Sequence, residues 1–521
     1  MRKHFAVFLC LLTLLALPVG CAPEEDLPGS EVTDLIQTDE TGTDSSVGAI
    51  LPEAFSLAYL PGQTWDPITC QDGLQQTVAS LLYESLFRLT PELEPELWLC
   101  SSYAYDPAAC TYTFTLRSGI SFSDGTPLTA EDVRLSLERA CGSLRYGNRL
   151  SDVTAITAAG NTVTVTLAAP NTGFPALLDI PIVKAGTESD LIPVGTGPYL
   201  CSDAGGDLTL IANQLWWQGK NLPLERIALV ETADPESLRY RLTSHDIQFL
   251  TADLIGTDPI PATGNIVYQD VNTTILQYIG LNTTRAPLNS AAFRNVLSQG
   301  LHREFLVNAF LSGHAIAAPF PISPVSSLYP TQLEQEYSLT GFVQAIAALD
   351  ELPQTPLVFL VNEENSFKVS LASQLAANYS AQGILMEVRA LPWEAYTAAL
   401  QAGDFDLYYG EVKLTADWDL TDLLGTNGSL NYGRWSNPQT NLCLTAVLTS
   451  DDRAAAIEKL CSHLQQQSPI LPLCFKRSSI LMQSGVVTDL QSTYSNPFYG
   501  LPECNIQLKA PVSSDTAAPD A

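Results

Sequence analysis

Between residues 112 and 140 the chain reads YTFTLRSGISFSDGTPLTAEDVRLSLERA, and this run constrains the fold more than any other. Tyr112, Phe114 and Leu116 alternate with threonines, the period-two pattern of a half-buried strand. Asp124-Gly125-Thr126-Pro127 follows as turn chemistry, because glycine tolerates positive φ and proline presets the exit. Thr129 stands three residues before Asp132, where a hydroxyl can satisfy the orphan N–H groups of a helix start. Val133, Leu137 and Ala140 then share one helical face. Periodicity alone specifies only an ordinary strand, turn and helix.

Similar alternation runs through the rest of the chain. Strand patterns at 162–167, 208–211 and 357–361 are interleaved with helical patterns at 75–86 and 370–382, which makes the fold class α/β. No internal repeat of fixed period is visible. Roughly 460 residues lie between the two ends described next, too many for one ordinary core and suited to two or three domains.

The N-terminus reads as an export signal. Met1-Arg2-Lys3 is a positive n-region, and residues 5–17 form an apolar stretch too short to persist as a membrane span. Pro18-Val19-Gly20-Cys21 resembles a bacterial lipobox, with Leu17 one place upstream of the usual position. The resemblance implies a signal peptide over 1–20 and a lipid on Cys21; the other reading is a plain cleaved signal with an incidental cysteine. Residues 22–50 carry no Lys or Arg and are rich in Asp, Glu, Thr, Ser and Gly. Such a stretch buries too little apolar area to offset its ordering entropy, so 21–50 is expected to be a disordered tether and 509–521 a frayed tail.

Asp and Glu outnumber Lys and Arg 56 to 25, for a net charge of −31. That balance argues against nucleic acid or an anionic lipid surface as partner. Of the eleven cysteines, nine remain once Cys10 and Cys21 are assigned to the leader and the lipid, which leaves at least one thiol unpaired. Cys100 and Cys110 flank a turn between strands and are the pair expected to bridge. No CxxC occurs.

Further segments complete a family pattern. Trp65-Asp66-Pro67 forms an early loop, and Tyr83-Glu84-Ser85-Leu86-Phe87 matches a Tyr-Glu-Gly-Leu helix with Ser85 in place of the glycine. Val194-Gly195-Thr196-Gly197-Pro198-Tyr199 carries a GTGPY turn, and residues 213–227 follow an Asn-x-x-Tyr-Trp pattern with Trp216 in the Tyr position. In 292–313, Arg294 and Arg303-Glu304 are kept while His302 replaces an Asp. Together with 112–140, these motifs resemble the bacterial extracellular solute-binding proteins of family 5, the oligopeptide- and dipeptide-binding lipoproteins of ABC transporters, over residues 50–505.

The resemblance implies a two-lobed periplasmic-binding-protein fold of the large type II class. Lobe one is expected over 51–280 with a return at 482–508 and an accessory subdomain over 70–184. Lobe two is expected over 281–481, with 275–282 as a crossing strand. The implied role is to capture a peptide or similar small solute outside the cytoplasm, tethered to the bacterial cell membrane through Cys21. The solute would pass to ABC permease subunits with their ATPases. The implied assembly is a monomer, with no cofactor and no nucleic acid.

The resemblance also suggests where a ligand sits. Phe405-Asp406-Leu407-Tyr408-Tyr409-Gly410 corresponds to a second-lobe strand, and Ala416-Asp417-Trp418-Asp419 to the run whose acid pairs with a peptide's α-amine. Asp417 is therefore the candidate anchor, flanked by Trp418, since an ammonium leaving water needs a charged partner. Asp417 could instead cap the next helix or pair with a surface cation. The residues after Gly410, beginning with Glu411, depart from the family pattern and point to a reshaped pocket. Trp65, Tyr83, Tyr199, Trp418 and Tyr432 lie in segments that face the cleft in similar proteins; as core residues they would serve packing alone.

An enzyme is not expected. No G-x-S-x-G, H-E-x-x-H or phosphate-binding glycine loop occurs. Ser244-His245-Asp246 are contiguous, whereas triad members converge from separate positions. His245, His302, His314 and His463 are scattered and suggest no metal site. Other occupants of the same fold are an oligosaccharide, a metal complex, haem, or a signalling peptide read by a sensor.

Overall fold

The computed structural model describes residues 51–510 apart from 205 and 262. The expected signal peptide, the Cys21 lipid site, the tether and the chain beyond 510 lie outside the described residues. Among the described residues, no helix is long and apolar enough to cross a membrane.

Two long strands organise the molecule. Ile266–Leu281 and Ile470–Gln483 run antiparallel to one another, with a register shift between Asn272 and Leu276. Such an irregularity bends a ladder and strengthens its twist. On one side of it, Phe249–Ala252 pairs with the second long strand, followed by Ser56–Tyr59, Arg226–Glu231, Thr209–Ala212 and Tyr199–Ser202. On the other side, Leu407–Lys413 pairs with the first long strand, followed by Leu357–Asn362 and Met386–Leu391. The whole forms one eleven-stranded mixed sheet.

The cores divide near the same place. One cluster gathers Phe55, Phe114, Ile182, Phe249, Val271 and Ile480. Two others gather Leu276, Tyr278, Trp418 and Phe475, and Ile279, Leu306, Phe359 and Leu473. Each long strand therefore gives one half of its side chains to one body and the other half to the second. The result is a two-lobed α/β protein.

A separate four-stranded antiparallel sheet has the order Cys100–Asp106, Thr111–Leu116, Thr162–Leu167, Val153–Ala159. Its second strand buries Tyr112, Phe114 and Leu116 while the threonines between them are only partly covered, as the alternation requires. Gly125 takes φ +83° in the turn. Thr129 and Asp132 form a reciprocal capping box at the start of helix Ala130–Cys141. Val133 and Leu137 of that helix are buried, each contributing roughly 1.5–3 kcal/mol. The GTGPY turn packs hard against helix Gly73–Leu82, where a Cβ on Gly195 would lie 2.1 Å from the Leu82 carbonyl oxygen.

The expected Cys100–Cys110 disulfide is not formed. Cys100 is paired with Leu116 at one end of a hairpin, whereas Cys110 sits in the turn at the other end. The seven-residue strand Cys100–Asp106 separates them, and a disulfide tolerates a Cα separation of only about 7 Å. All nine cysteines of the described residues are free thiols.

Candidate functional site

A cavity of about 880 Å³ opens where the lobes meet. Its walls come from helix Gly73–Leu82 and the residues after it, the 145–149 segment, the 493–503 loop, the end of strand Leu407–Lys413 and the second long strand. Thr273 to Ile275, beside the register shift of the first long strand, also line it.

One wall is pinned by a buried acid. Glu84 accepts hydrogen bonds from three indole N–H groups, Trp98 at 2.9 Å, Trp216 at 3.0 Å and Trp217 at 2.8 Å, and from the Thr196 hydroxyl at 2.8 Å. Burial pushes its carboxyl above the ordinary range, and the four donors act in the other direction. This single side chain ties the GTGPY turn and the Trp216-Trp217 pair to the cavity wall. Arg88 extends the wall, its guanidinium 3.6 Å above the Trp98 ring and 4.2 Å above Tyr499, with Glu96 at 2.6 Å.

Much of the lining is basic. Arg149 pairs with Asp179 at 2.7 Å, Lys220 with Glu503 at 2.5 Å, and Lys476 with Asp253. Lys476 also lies 3.8 Å from Glu411. Arg145, Lys413 and Arg477 have no carboxylate at ion-pair distance among the described residues; Lys413 lies instead 4.6 Å over the Tyr494 ring.

A smaller cavity of about 140 Å³ is bordered by Asn148, Arg149 and Lys413 to Thr415, which also border the large one, and by Asp417, Asp419 and Asp422. Asp417 is buried and fully engaged. Its Oδ2 accepts from Asn171 Nδ2 at 2.8 Å, and its Oδ1 accepts from the Thr415 hydroxyl at 2.5 Å and the Asp419 N–H at 3.3 Å. Arg453 donates to its backbone carbonyl. Burial raises the Asp419 carboxyl above its usual range, and the neighbouring Asp417 and Asp422 add to the effect.

The other residues singled out from the sequence are spread around this centre. Tyr83 lines the large cavity and donates its hydroxyl to the Pro193 carbonyl at 2.7 Å. Trp65 is buried against Tyr59, with ring centroids 5.6 Å apart. Tyr199 is buried and donates to Leu224 O at 2.8 Å. Trp418 is buried in second-lobe core at φ +57°, edge-on to Phe475. Tyr432 meets Tyr408 edge-on at 6.1 Å. Gly410 makes room for the Tyr278 ring, which would lie 2.4 Å from an added Cβ. Glu411 accepts from Gln277 Nε2 at 2.8 Å and lies 3.1 Å from Lys368. Burial opposes its ionisation, yet Lys368, Lys476 and the Gln277 amide together hold its carboxyl below the ordinary glutamate range.

Ser244 and Asp246 belong to a helix end. Ser244 caps Pro235–Thr243 through its backbone N–H, and Asp246 lies 3.7 Å from Arg241. Among the described residues, no group of three or more His, Cys, Asp or Glu is arranged to hold a metal ion.

The family model described as bacterial extracellular solute-binding proteins, family 5 Middle, matches residues 94–431. The glutathione-binding protein GsiB of Escherichia coli (strain K12) is 26% identical over 461 residues, covering 80% of this chain and 87% of that protein. Among solved structures, the ABC transporter substrate-binding protein CtaP of Listeria monocytogenes matches with a TM-score of 0.71 at 17% identity, covering 88% of this chain and 99% of that one. A nickel ABC transporter structure from Bacillus halodurans matches with a TM-score of 0.72 at 20% identity, covering 87% and 100%. Both structures share the two-lobed fold.

Proposed function

We propose that this chain, which belongs to the family 5 bacterial extracellular solute-binding proteins, captures a peptide or similarly small solute between its lobes and delivers it to the permease of an ABC importer. The observation that carries this reading is the cavity of about 880 Å³ walled by both lobes at the two crossing strands. A volume of that order suits a small ligand. A solute touching both walls favours the form in which the lobes meet, and only differential affinity for that form can shift the equilibrium.

Members of this family work outside the cytoplasm. For this chain we add a leader over 1–20, a lipid on Cys21, and a monomer held at the membrane by the 21–50 tether. The lobe boundary is best drawn at 273–275 and near 476, where the paired strands lose register and the cores divide. Asp417 is the proposed partner of a ligand ammonium, which would take the place of the Asn171 amide. Glutathione, itself a small peptide, is a specific occupant suggested by the GsiB likeness.

Native mass spectrometry of the purified protein tests the reading. The expected result is a co-purified solute of peptide mass, or its uptake on titration with a peptide mixture. A protein that carries nothing and takes up no peptide would count against it.

A further inference from the structure

The cavity inverts the charge balance of the chain. Acids exceed bases 56 to 25 overall, yet seven of the bases and only four of the acids line this space. All four acids are already committed: Glu84 to indoles and a hydroxyl, Asp179 to Arg149, Asp253 to Lys476 and Glu503 to Lys220. The bases are not all neutralised. Arg145, in the first lobe, Lys413, at the end of the second-lobe strand, and Arg477, on the second long strand at the crossing, have no carboxylate at ion-pair distance among the described residues. Of the three, Arg145 and Lys413 stand on opposite lobes. The segments that hold them adjoin, since Asn148 and Arg149 on one side and Lys413 to Thr415 on the other border both cavities.

We propose that the cavity selects solutes bearing an acidic group beyond a single terminal carboxylate, with Arg145 and Lys413 as the specificity-determining residues that receive it from opposite lobes. The inference rests on the solute-binding reading and names the charge of what is bound. Two cations facing one space from separate bodies resist approach until an anion lies between them. An acidic solute therefore binds and also joins the lobes, whereas a neutral one leaves the two charges facing each other. Low-dielectric walls sharpen the preference, and the basic lining raises the cost of a cationic competitor inside the cavity.

Isothermal titration of the purified protein with Ala-Glu-Ala, Ala-Ala-Ala and Ala-Lys-Ala tests this. Ala-Glu-Ala is expected to bind about tenfold more tightly than Ala-Ala-Ala, with Ala-Lys-Ala weakest and the gap narrowing in high salt. In the double variant Arg145→Gln/Lys413→Gln, the gap is expected to shrink to about threefold or less without loss of melting temperature. Ala-Glu-Ala loses affinity there, while Ala-Ala-Ala, freed of the facing charges, binds no more weakly than before. Equal or tighter binding of Ala-Ala-Ala to the native protein would overturn the inference and leave the solute-binding reading standing. Selectivity that survives the double substitution would overturn the assignment to these two residues. Binding of none of the three would remove the peptide reading itself, and this inference with it.

Discussion

Asn171 donates its side-chain amide to Asp417 across 2.8 Å, joining a first-lobe loop to the carboxylate proposed to receive a ligand's amine. The contact belongs to a small latch. Thr172 donates its N–H to Leu448 O at 2.7 Å, and a Cβ on Gly173 would lie 2.9 Å from Asp417 Cβ. The latch keeps the acid hydrogen-bonded when no ammonium is present, as a buried carboxylate requires.

If an ammonium replaces the amide, the two partners respond to substitution with opposite signs. Asp417→Ala should weaken binding of free-amine peptides by about 3–5 kcal/mol, as for loss of one partner of a buried pair. Asn171→Ala should strengthen it by up to about tenfold while lowering stability without ligand by about 1 kcal/mol, the worth of one hydrogen bond. Calorimetric titration and thermal melts separate these outcomes. Unchanged affinity in Asp417→Ala would reassign the residue to the latch alone.

Glu84 offers a sharper stability test. Its oxygens accept from Trp98, Trp216, Trp217 and Thr196, so Glu84→Gln turns one acceptor end into a donor facing donors. A loss of about 3 kcal/mol is expected in urea unfolding, with altered tryptophan emission, since the substitution strands buried N–H groups. A variant as stable as the native chain would mean that the indoles find other acceptors.

The GTGPY turn makes a steric prediction with its own control. Gly195→Ala would set a Cβ 2.1 Å from Leu82 O and 2.6 Å from the Tyr83 ring, with no flexible neighbour to yield, and should abolish soluble folded protein. Gly62→Ala has φ +79° but nothing within 4 Å, so only the left-handed backbone opposes it. About 1 kcal/mol is expected there, read as a small drop in melting temperature.

Local rules account for what was legible in the sequence. Thr111–Leu116 and Ala130–Cys141 follow from alternation and a cap, both set by neighbours in the chain. The motifs likewise located the family and two-lobed fold. They did not show side-chain direction: Tyr199 and Trp65 turn into core, and of the proposed aromatics only Tyr83 reaches the large cavity. The basic lining left no local trace, because Arg145, Lys413 and Lys476 are brought together only by the lobe crossing. The Cys100–Cys110 pairing failed for a related reason, since a turn was legible but the register that sends Cys100 to its far end was not.

Glu411 makes the stability of the second lobe pH-dependent. Its folded carboxyl titrates below the ordinary range because Lys368, Lys476 and Gln277 outweigh burial. Its contribution is therefore present above the unfolded value of about 4.3 and is lost as pH falls through the folded value. Glu411→Gln should cost about 2 kcal/mol at neutral pH, the worth of a charged hydrogen bond, and the difference should close on acidification. Melts from neutral pH downward would check this; a gap that widens in acid would reverse the assigned direction.

Lys476 gives the crossing itself a test. The residue lies on the second long strand, and its ammonium pairs with Asp253, beside the strand of the first lobe, and lies 3.8 Å from Glu411 on the strand of the second. One cation thus ties both lobes where the paired strands lose register. Lys476→Met keeps the stem and removes the charge. Asp253 is accessible enough for water to compensate it, whereas Glu411 is left with Lys368 as its one remaining ion-pair partner among the described residues. The cost should therefore fall mainly on Glu411. In a double-mutant cycle with Glu411→Gln, a coupling of about 0.5–3 kcal/mol is expected, as for residues in one charged network. A coupling of zero would show that Lys476 acts through Asp253 alone and does not join the lobes.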